Sequence, residues 1–154
     1  MATVEPIKKK CDLKKIEKFL KNQNERNYVL FILGINCGLR ISDILRLNVE
    51  NVKNKDYIQL YEKKTGKYKK LPINSKIKQI LKEYTKNKEL TSPLFTTNFN
   101  NRMDRITAYR ILNTACKENN IDINIGTHTL RKTFGYHFFK KYKRTAPLSR
   151  KTIS

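Results

Sequence analysis

Apolar positions recur at helical spacing through most of the chain and alternate with polar ones only near its middle. Leu13, Ile16, Phe19 and Leu20 fall on one face of a surface helix whose other face is lysine-rich, and Asp12 is placed to cap it. After a polar break at Asn22 to Asn27, the run YVLFILGINCG is apolar nearly all round and ends at Gly38, suited to the left-handed position after a helix. It reads as the central buried helix. Ser42 or Asn36 then restarts the chain as a short helix through ISDILRL, which leaves Arg40 at a junction, and NVENVKNK follows as a turn.

The period shifts to two in YIQLY (Tyr57 to Tyr61) and KYKKLPI (Lys67 to Ile73); EKKTG with Gly66 joins them, so a β-hairpin is expected. Helical spacing returns at Ile77, Ile80, Leu81 and Tyr84, again at Ile106, Tyr109 and Leu112 after the loop SPLFTTNFNNRM, and last at Leu130, Phe134, His137 and Phe138. His137 is assigned to the core. The fold class is mainly α with a small antiparallel β-sheet (α+β), in one domain without internal repeats. At 154 residues, 38% of them hydrophobic, the chain has material for a single core.

Charge narrows the partner. Lys and Arg number 34 against 13 acidic residues, a formal charge of +21, spread through the periodic segments rather than confined to a tail. A basic folded domain of this kind points to nucleic acid. A membrane surface is disfavoured by the lack of a long apolar run, a signal-peptide core or a lipidation motif, so a soluble, cytoplasmic protein is expected. The abundance of Lys, Asn and Ile fits an AT-rich bacterial or mobile-element genome. Cys11, Cys37 and Cys116 are far apart and without metal-ligand spacing, and are read as reduced thiols with no metal.

Two arginines interrupt apolar surroundings: Arg40, between GINCGL and ISDIL, and Arg131, in HTLRKTF. A guanidinium so placed needs a carboxylate or a bound anion. Asp43, three residues on, is the internal choice for Arg40; on the residues alone, a structural Arg40–Asp43 pair with a solvated Arg131 stays open. His128 and Arg131 are spaced i, i+3 on a helix starting near Thr127, beside backbone amides that favour phosphate. Lys64 sits at the hairpin tip in KKTGK. The glycine and Ser/Thr spacing of a phosphate-binding P-loop is absent, so nucleotide binding is rejected.

Taken in order, GLRISD with Arg40, KTGK with Lys64, and HTLRKTF with His128 and Arg131 resemble the catalytic domain of tyrosine recombinases, the phage integrase family, from about Glu5 to Lys143. The resemblance implies DNA strand exchange through a 3'-phosphotyrosyl intermediate, with no metal or nucleotide cofactor. It implies that Arg40 and Arg131 clamp the scissile phosphate, that Lys64 protonates the leaving oxygen, that His128 bonds the phosphate, and that Asp43 orients Arg40 from behind. Lys63 and Lys67 become further contacts to double-stranded DNA. So does Lys132, where the family often has histidine.

The resemblance fades at the end. Past Arg131 the family continues to a His or Trp segment and then to its nucleophilic tyrosine, and TAPLSRKTIS matches neither; Tyr136 and Tyr142 lie on the His128 helix itself. No nucleophile is therefore assigned. Residues 1–143 are read as a truncated recombinase catalytic domain without the additional DNA-binding domain of complete members, and 144–154 as a disordered basic tail. The expected function is a DNA-binding catalytic-domain fragment, inactive and monomeric alone, whose complete relatives act as tetramers on DNA. The alternative is a non-catalytic DNA-binding regulator occupying recombination sites.

Overall fold

A computed structural model describes residues 3–145 of the chain. Helix α1 (Lys10–Gln23) buries Ile16 and Leu20, with Leu13 and Phe19 at the margin of that face. It starts earlier than expected: Lys9 is the N-cap and supplies no side-chain bond, while Asp12 lies within the first turn, where its charge suits the helix dipole. Helix α2 (Glu25–Cys37) is capped by Asn24, whose side chain accepts from the Arg26 N–H at 2.9 Å, and it stops at Gly38 with φ 68°. It is the central helix, packed by α1 on one side and by the helices Ser75–Thr85 and Thr129–Thr145 on others.

Two glycines set how closely α6 (Thr129–Thr145) approaches. A Cβ at Gly34 would stand 2.5 Å from Leu130 Cδ1, and one at Gly38 would stand 2.6 Å from the Phe134 ring. The contact ties the start of α6 to the segment that leads into Arg40. Gly34→Ala is therefore expected to destabilise the chain despite its better helix propensity. Overpacking costs about 1–3 kcal/mol and propensity returns about 1, so urea denaturation should show a net loss of up to about 2 kcal/mol.

Helix α3 (Ile41–Leu45) begins directly after Arg40, which is its N-cap in extended conformation; neither Ser42, which lies inside the helix, nor Asn36 plays that part. A 3-10 turn at Val49–Asn51 leads to the hairpin. Strand β1 (Tyr57–Tyr61) matches the expected run, and β2 (Tyr68–Pro72) pairs with it antiparallel, Tyr57 opposite Pro72 and Tyr61 opposite Tyr68. Ile58 is the buried anchor of this two-stranded sheet. Helix α4 (Ser75–Thr85) is capped by Asn74 and buries Ile77, Leu81 and Tyr84, whose hydroxyl donates to the Leu94 carbonyl at 2.8 Å.

Helix α5 (Arg105–Glu118) has Asp104 as N-cap, accepting from the Thr107 N–H at 2.8 Å. Its buried face differs from the one expected. Ala108, Leu112, Ala115 and Cys116 face inward, whereas Ile106 and Tyr109 are exposed. In α6 the apolar face is buried only at its start, through Leu130; Phe138 and Phe139 are exposed. His137 is half-buried rather than core, its Nε2 donating to the Ile7 carbonyl at 2.8 Å. The partner in that bond belongs to an N-terminal strap, in which the Ile7 N–H donates to Thr133 Oγ1 at 2.9 Å and the Glu5 N–H to the Asn124 carbonyl at 2.9 Å. Of the tail expected from 144, the first two residues fall within α6 and 146–154 lie outside the described residues.

Candidate functional site

Gly38 ends α2, and two residues later the chain turns into α3, so Arg40 projects from a backbone fixed on both sides. Its side chain is 21% exposed and Nη1 donates to Glu62 Oε2 at 2.8 Å. Glu62 follows β1 directly and is 3% exposed. The same carboxylate pairs with Lys69 at 3.3 Å and accepts from Thr65 Oγ1 at 3.1 Å. Its backbone holds the turn as well: the Glu62 N–H donates to the Lys67 carbonyl at 2.8 Å, and the Glu62 carbonyl accepts from the Gly66 N–H at 2.7 Å. Burial alone raises the pKa of Glu62, but hydrogen bonds from Lys69 and Thr65 and the charges of Lys69 and Arg40 outweigh it, and the net shift is downward.

Asp43, expected behind Arg40, faces elsewhere. Its Oδ1 accepts from Arg46 Nη1 at 3.2 Å and from the Lys63 N–H at 3.2 Å, and its buried Oδ2 has no partner among the described residues. The internal carboxylate of Arg40 is Glu62, 22 residues along the chain, and Asp43 instead fastens the hairpin turn to α3. Two buried carboxylates thus anchor the turn that presents Lys63 and Lys64.

At the other wall, the Gly126 N–H donates to Thr129 Oγ1 at 2.9 Å and the Thr129 N–H to the Gly126 carbonyl at 3.1 Å, a reciprocal pair that fixes the entry to α6. Exposed His128 precedes the first helical residue, and its carbonyl accepts from the Lys132 N–H at 2.9 Å. Arg40, Ile41, Ser42, Lys63, Lys64, Arg105, Thr127 and His128 line a cleft of about 430 Å³. Four of these are permanent cations and none is a carboxylate.

Three of the four positions expected to act together, Arg40, Lys64 and His128, therefore share one cleft, and Lys63 joins them. Arg131, one helical turn past His128, is half-buried with no ion pair or hydrogen bond among the described residues; it lies outside that lining. Lys67 is exposed beyond the turn. Lys132 is engaged elsewhere, its Nζ donating to the Val4 carbonyl at 2.8 Å. Arg105 and Glu62 are the additions. Nothing marked Arg105 among so many basic residues, although its place just after an N-capping Asp at the entry to an apolar run was a signal of position.

A wider groove of about 940 Å³ runs between the strap and α6, lined by Lys8, Lys9, Lys10, Tyr136, His137, Lys140 and Lys141. Tyr136 lies there, its ring 5.8 Å from Lys8 Nζ and 5.6 Å from Lys140 Nζ. Among the described residues there is no His, Cys, Asp or Glu cluster able to hold a metal ion, and no helix long and apolar enough to cross a membrane. Burial pushes the thiols of Cys37 and Cys116 up to about 12 and about 11.

The family model described as the phage integrase family matches residues 9–148. A probable integrase/recombinase of Bacillus subtilis (strain 168), YoeC, is 45% identical over 97% of this chain and 83% of its own length. Tyrosine recombinase XerA of Pyrococcus horikoshii is 27% identical over 84% of this chain, which spans 46% of that protein. Among solved structures, a XerA recombinase superposes with TM-score 0.76 at 17% identity, over 92% of this chain and 52% of that one. A lambda integrase dimer bound to a COC' core site superposes with TM-score 0.72 at 15% identity, over 92% and 55%. At these identities the superpositions speak for the fold, which is that of the tyrosine-recombinase catalytic domain. Motif order, fold and the breadth of the match agree, and the chain belongs to the phage integrase family of tyrosine recombinases.

Proposed function

We propose that this chain binds duplex DNA and activates one backbone phosphodiester in the cleft between α3, the hairpin turn and the start of α6. The observation that carries the reading is a cleft with four permanent cations, no carboxylate in its lining, and one guanidinium held in place by a buried glutamate. Fixed donors aimed at a phosphate stabilise the charge that accumulates as an attacking oxygen adds to phosphorus. Arg40, with Arg131 approaching from α6, holds the non-bridging oxygens. Lys64, on a turn free to meet the strand, protonates the departing 5'-oxygen, and His128 bonds the phosphate at the helix entry. Asp43 serves the same chemistry by holding the Lys63–Lys64 turn, and Lys63, Lys67 and Arg105 add contacts to the strand. No metal or nucleotide takes part.

None of the residues lining the cleft is a tyrosine, and Tyr136 lies in the lysine groove. The chain alone is accordingly proposed to bind a site without forming a covalent link. Incubation with a nicked suicide duplex should give no protein–DNA adduct after denaturation; a phosphotyrosyl adduct at Tyr136 or Tyr142 would overturn this. The same observation supports a second reading, a regulator that occupies recombination sites without cutting them. In either case the chain acts in the cytoplasm. It is expected to be a monomer free in solution, with a tetramer on DNA the expectation for complete family members; a lambda integrase has been solved as a tetramer bound to a Holliday junction.

A further inference from the structure

Phe95 and Phe99 lie four residues apart and meet opposite fates: the first is 0% exposed and the second 86%, the most exposed of the large hydrophobic side chains described. The difference is built by the backbone. Thr96 bridges Arg102, the Met103 N–H donates to the Phe95 carbonyl at 3.0 Å, and the Thr97 N–H donates to the Asn101 carbonyl at 2.7 Å. At the tip the Thr97 hydroxyl accepts from the N–H groups of both Phe99 and Asn101 at 3.3 Å, and the Thr97 carbonyl accepts from the Asn100 N–H at 3.0 Å. Asn100 takes the left-handed conformation that closes the turn, φ 63°. These bonds fix the backbone of the turn, and the Phe99 ring stands outside it, off the core.

The base of the turn is clamped by two arginines. Arg26 Nη1 donates to the Thr96 carbonyl at 2.8 Å, and Arg102 Nη1 donates to the carbonyls of Leu45 and Leu47 at 2.9 and 3.1 Å. All these acceptors are neutral, and among the described residues neither guanidinium has a carboxylate partner. A cleft of about 450 Å³ beside the turn is lined by both arginines together with Thr97, Asn98, Phe99, Asn101, Asp104 and Thr107. A protruding ring set beside two guanidiniums that form no ion pair among the described residues, with side-chain amides and the single carboxylate of Asp104, suits a partner with anionic edges and stacked aromatic faces inside, which is the construction of duplex DNA.

Position agrees with chemistry. Asp104 lines this cleft and Arg105 lines the phosphate cleft, so the two open on either side of the first residues of α5. Phe99 lies six positions before Arg105; fully extended chain spans at most about 3.4 Å per residue, which places its Cα within about 20 Å of that of Arg105, or about six base steps. Resting on the DNA-binding reading above, we propose that the 97–101 turn is a wedge, and that Phe99 enters a base step within a few base pairs of the bound phosphate and partly unstacks it.

The test is fluorescence anisotropy with two duplexes of the same sequence and length, one fully paired and one with a central T·T mismatch, where unstacking is cheaper. The unchanged protein should prefer the mismatched duplex by about fivefold or more, and Phe99→Ala should lose that preference, its binding to the mismatched duplex falling more than its binding to the paired one. Phe99→Leu, which keeps an apolar wedge, should retain part of it. Equal preference in the unchanged protein and in Phe99→Ala would overturn the wedge. So would a dimer, seen by sedimentation, that Phe99→Ala abolishes, because the ring would then belong to a protein interface. If the unchanged protein binds neither duplex, the DNA-binding reading itself fails, which separates the two outcomes.

Discussion

Glu62→Ala is expected to lower the stability of the folded chain by about 3 kcal/mol, the lower end of what breaking a buried ion pair costs, because Arg40 and Lys69 retain some access to water. Three interactions disappear together: the Arg40 and Lys69 charges lose their counter-ion, and the Thr65 hydroxyl loses the acceptor that braces the turn. Glu62→Gln keeps the shape and one of the two acceptor oxygens while removing the charge, so its loss should be smaller. The two variants also separate in pH. The folded-state pKa of Glu62 lies below its ordinary value of 4.5, so its contribution is complete above that value and drains away as pH falls through the folded one. Urea titrations should therefore show a constant gap between the unchanged protein and Glu62→Gln from neutral pH down to about 5, closing as the pH drops further. A gap that persists undiminished well below the folded pKa would mean that packing, not charge, makes Glu62 important. Both variants should also weaken DNA binding less than loss of Arg40 itself, since the guanidinium remains, though unanchored.

That Glu62 governs Arg40 was hidden in the sequence for a definable reason. Asp43 is three residues from Arg40 and one helical turn away in any short helix, so local spacing favours it, whereas Glu62 reaches Arg40 only because the hairpin folds back over α3. Contacts set by periodicity were legible, namely the β1 run and the central helix ended by Gly38, whereas the grouping of Arg40, Lys64 and His128 in one cleft was implied by the family resemblance. Contacts set by tertiary closeness were not. The buried side of α5 rests on Ala108, Ala115 and Cys116, small residues that apolar counting passes over in favour of Ile106 and Tyr109, and small residues are what a close interface with α1 selects. Lys132 was legible as a cation but not as the donor to Val4, since the strap that supplies that carbonyl is 128 residues away. The outward ring of Phe99 was equally hidden, because the Thr97 bonds that hold it there form only once the turn closes.

The double variant Arg40→Ala, Arg131→Ala should separate binding from chemistry. A chain of +21 meets the duplex through many phosphates, so losing two contacts should flatten the slope of log affinity against log salt by about 2 while leaving readily measurable binding at low salt. Chemistry has no such reserve. In a chimera that carries a tyrosine-bearing C-terminal segment of another tyrosine recombinase, either single substitution should, on the proposed mechanism, remove a fixed donor to the phosphoryl oxygens, worth about 3 kcal/mol or at least 100-fold in cleavage rate. The double variant should fall little further than the worse single one, because donors that act on one transition state are not additive. Cleavage by the chimera that is insensitive to both arginines would show that the cleft does not hold the scissile phosphate. Binding that loses two units of slope while no chimera ever cleaves would favour the regulator, since the arginines would then grip the strand without any reaction to assist.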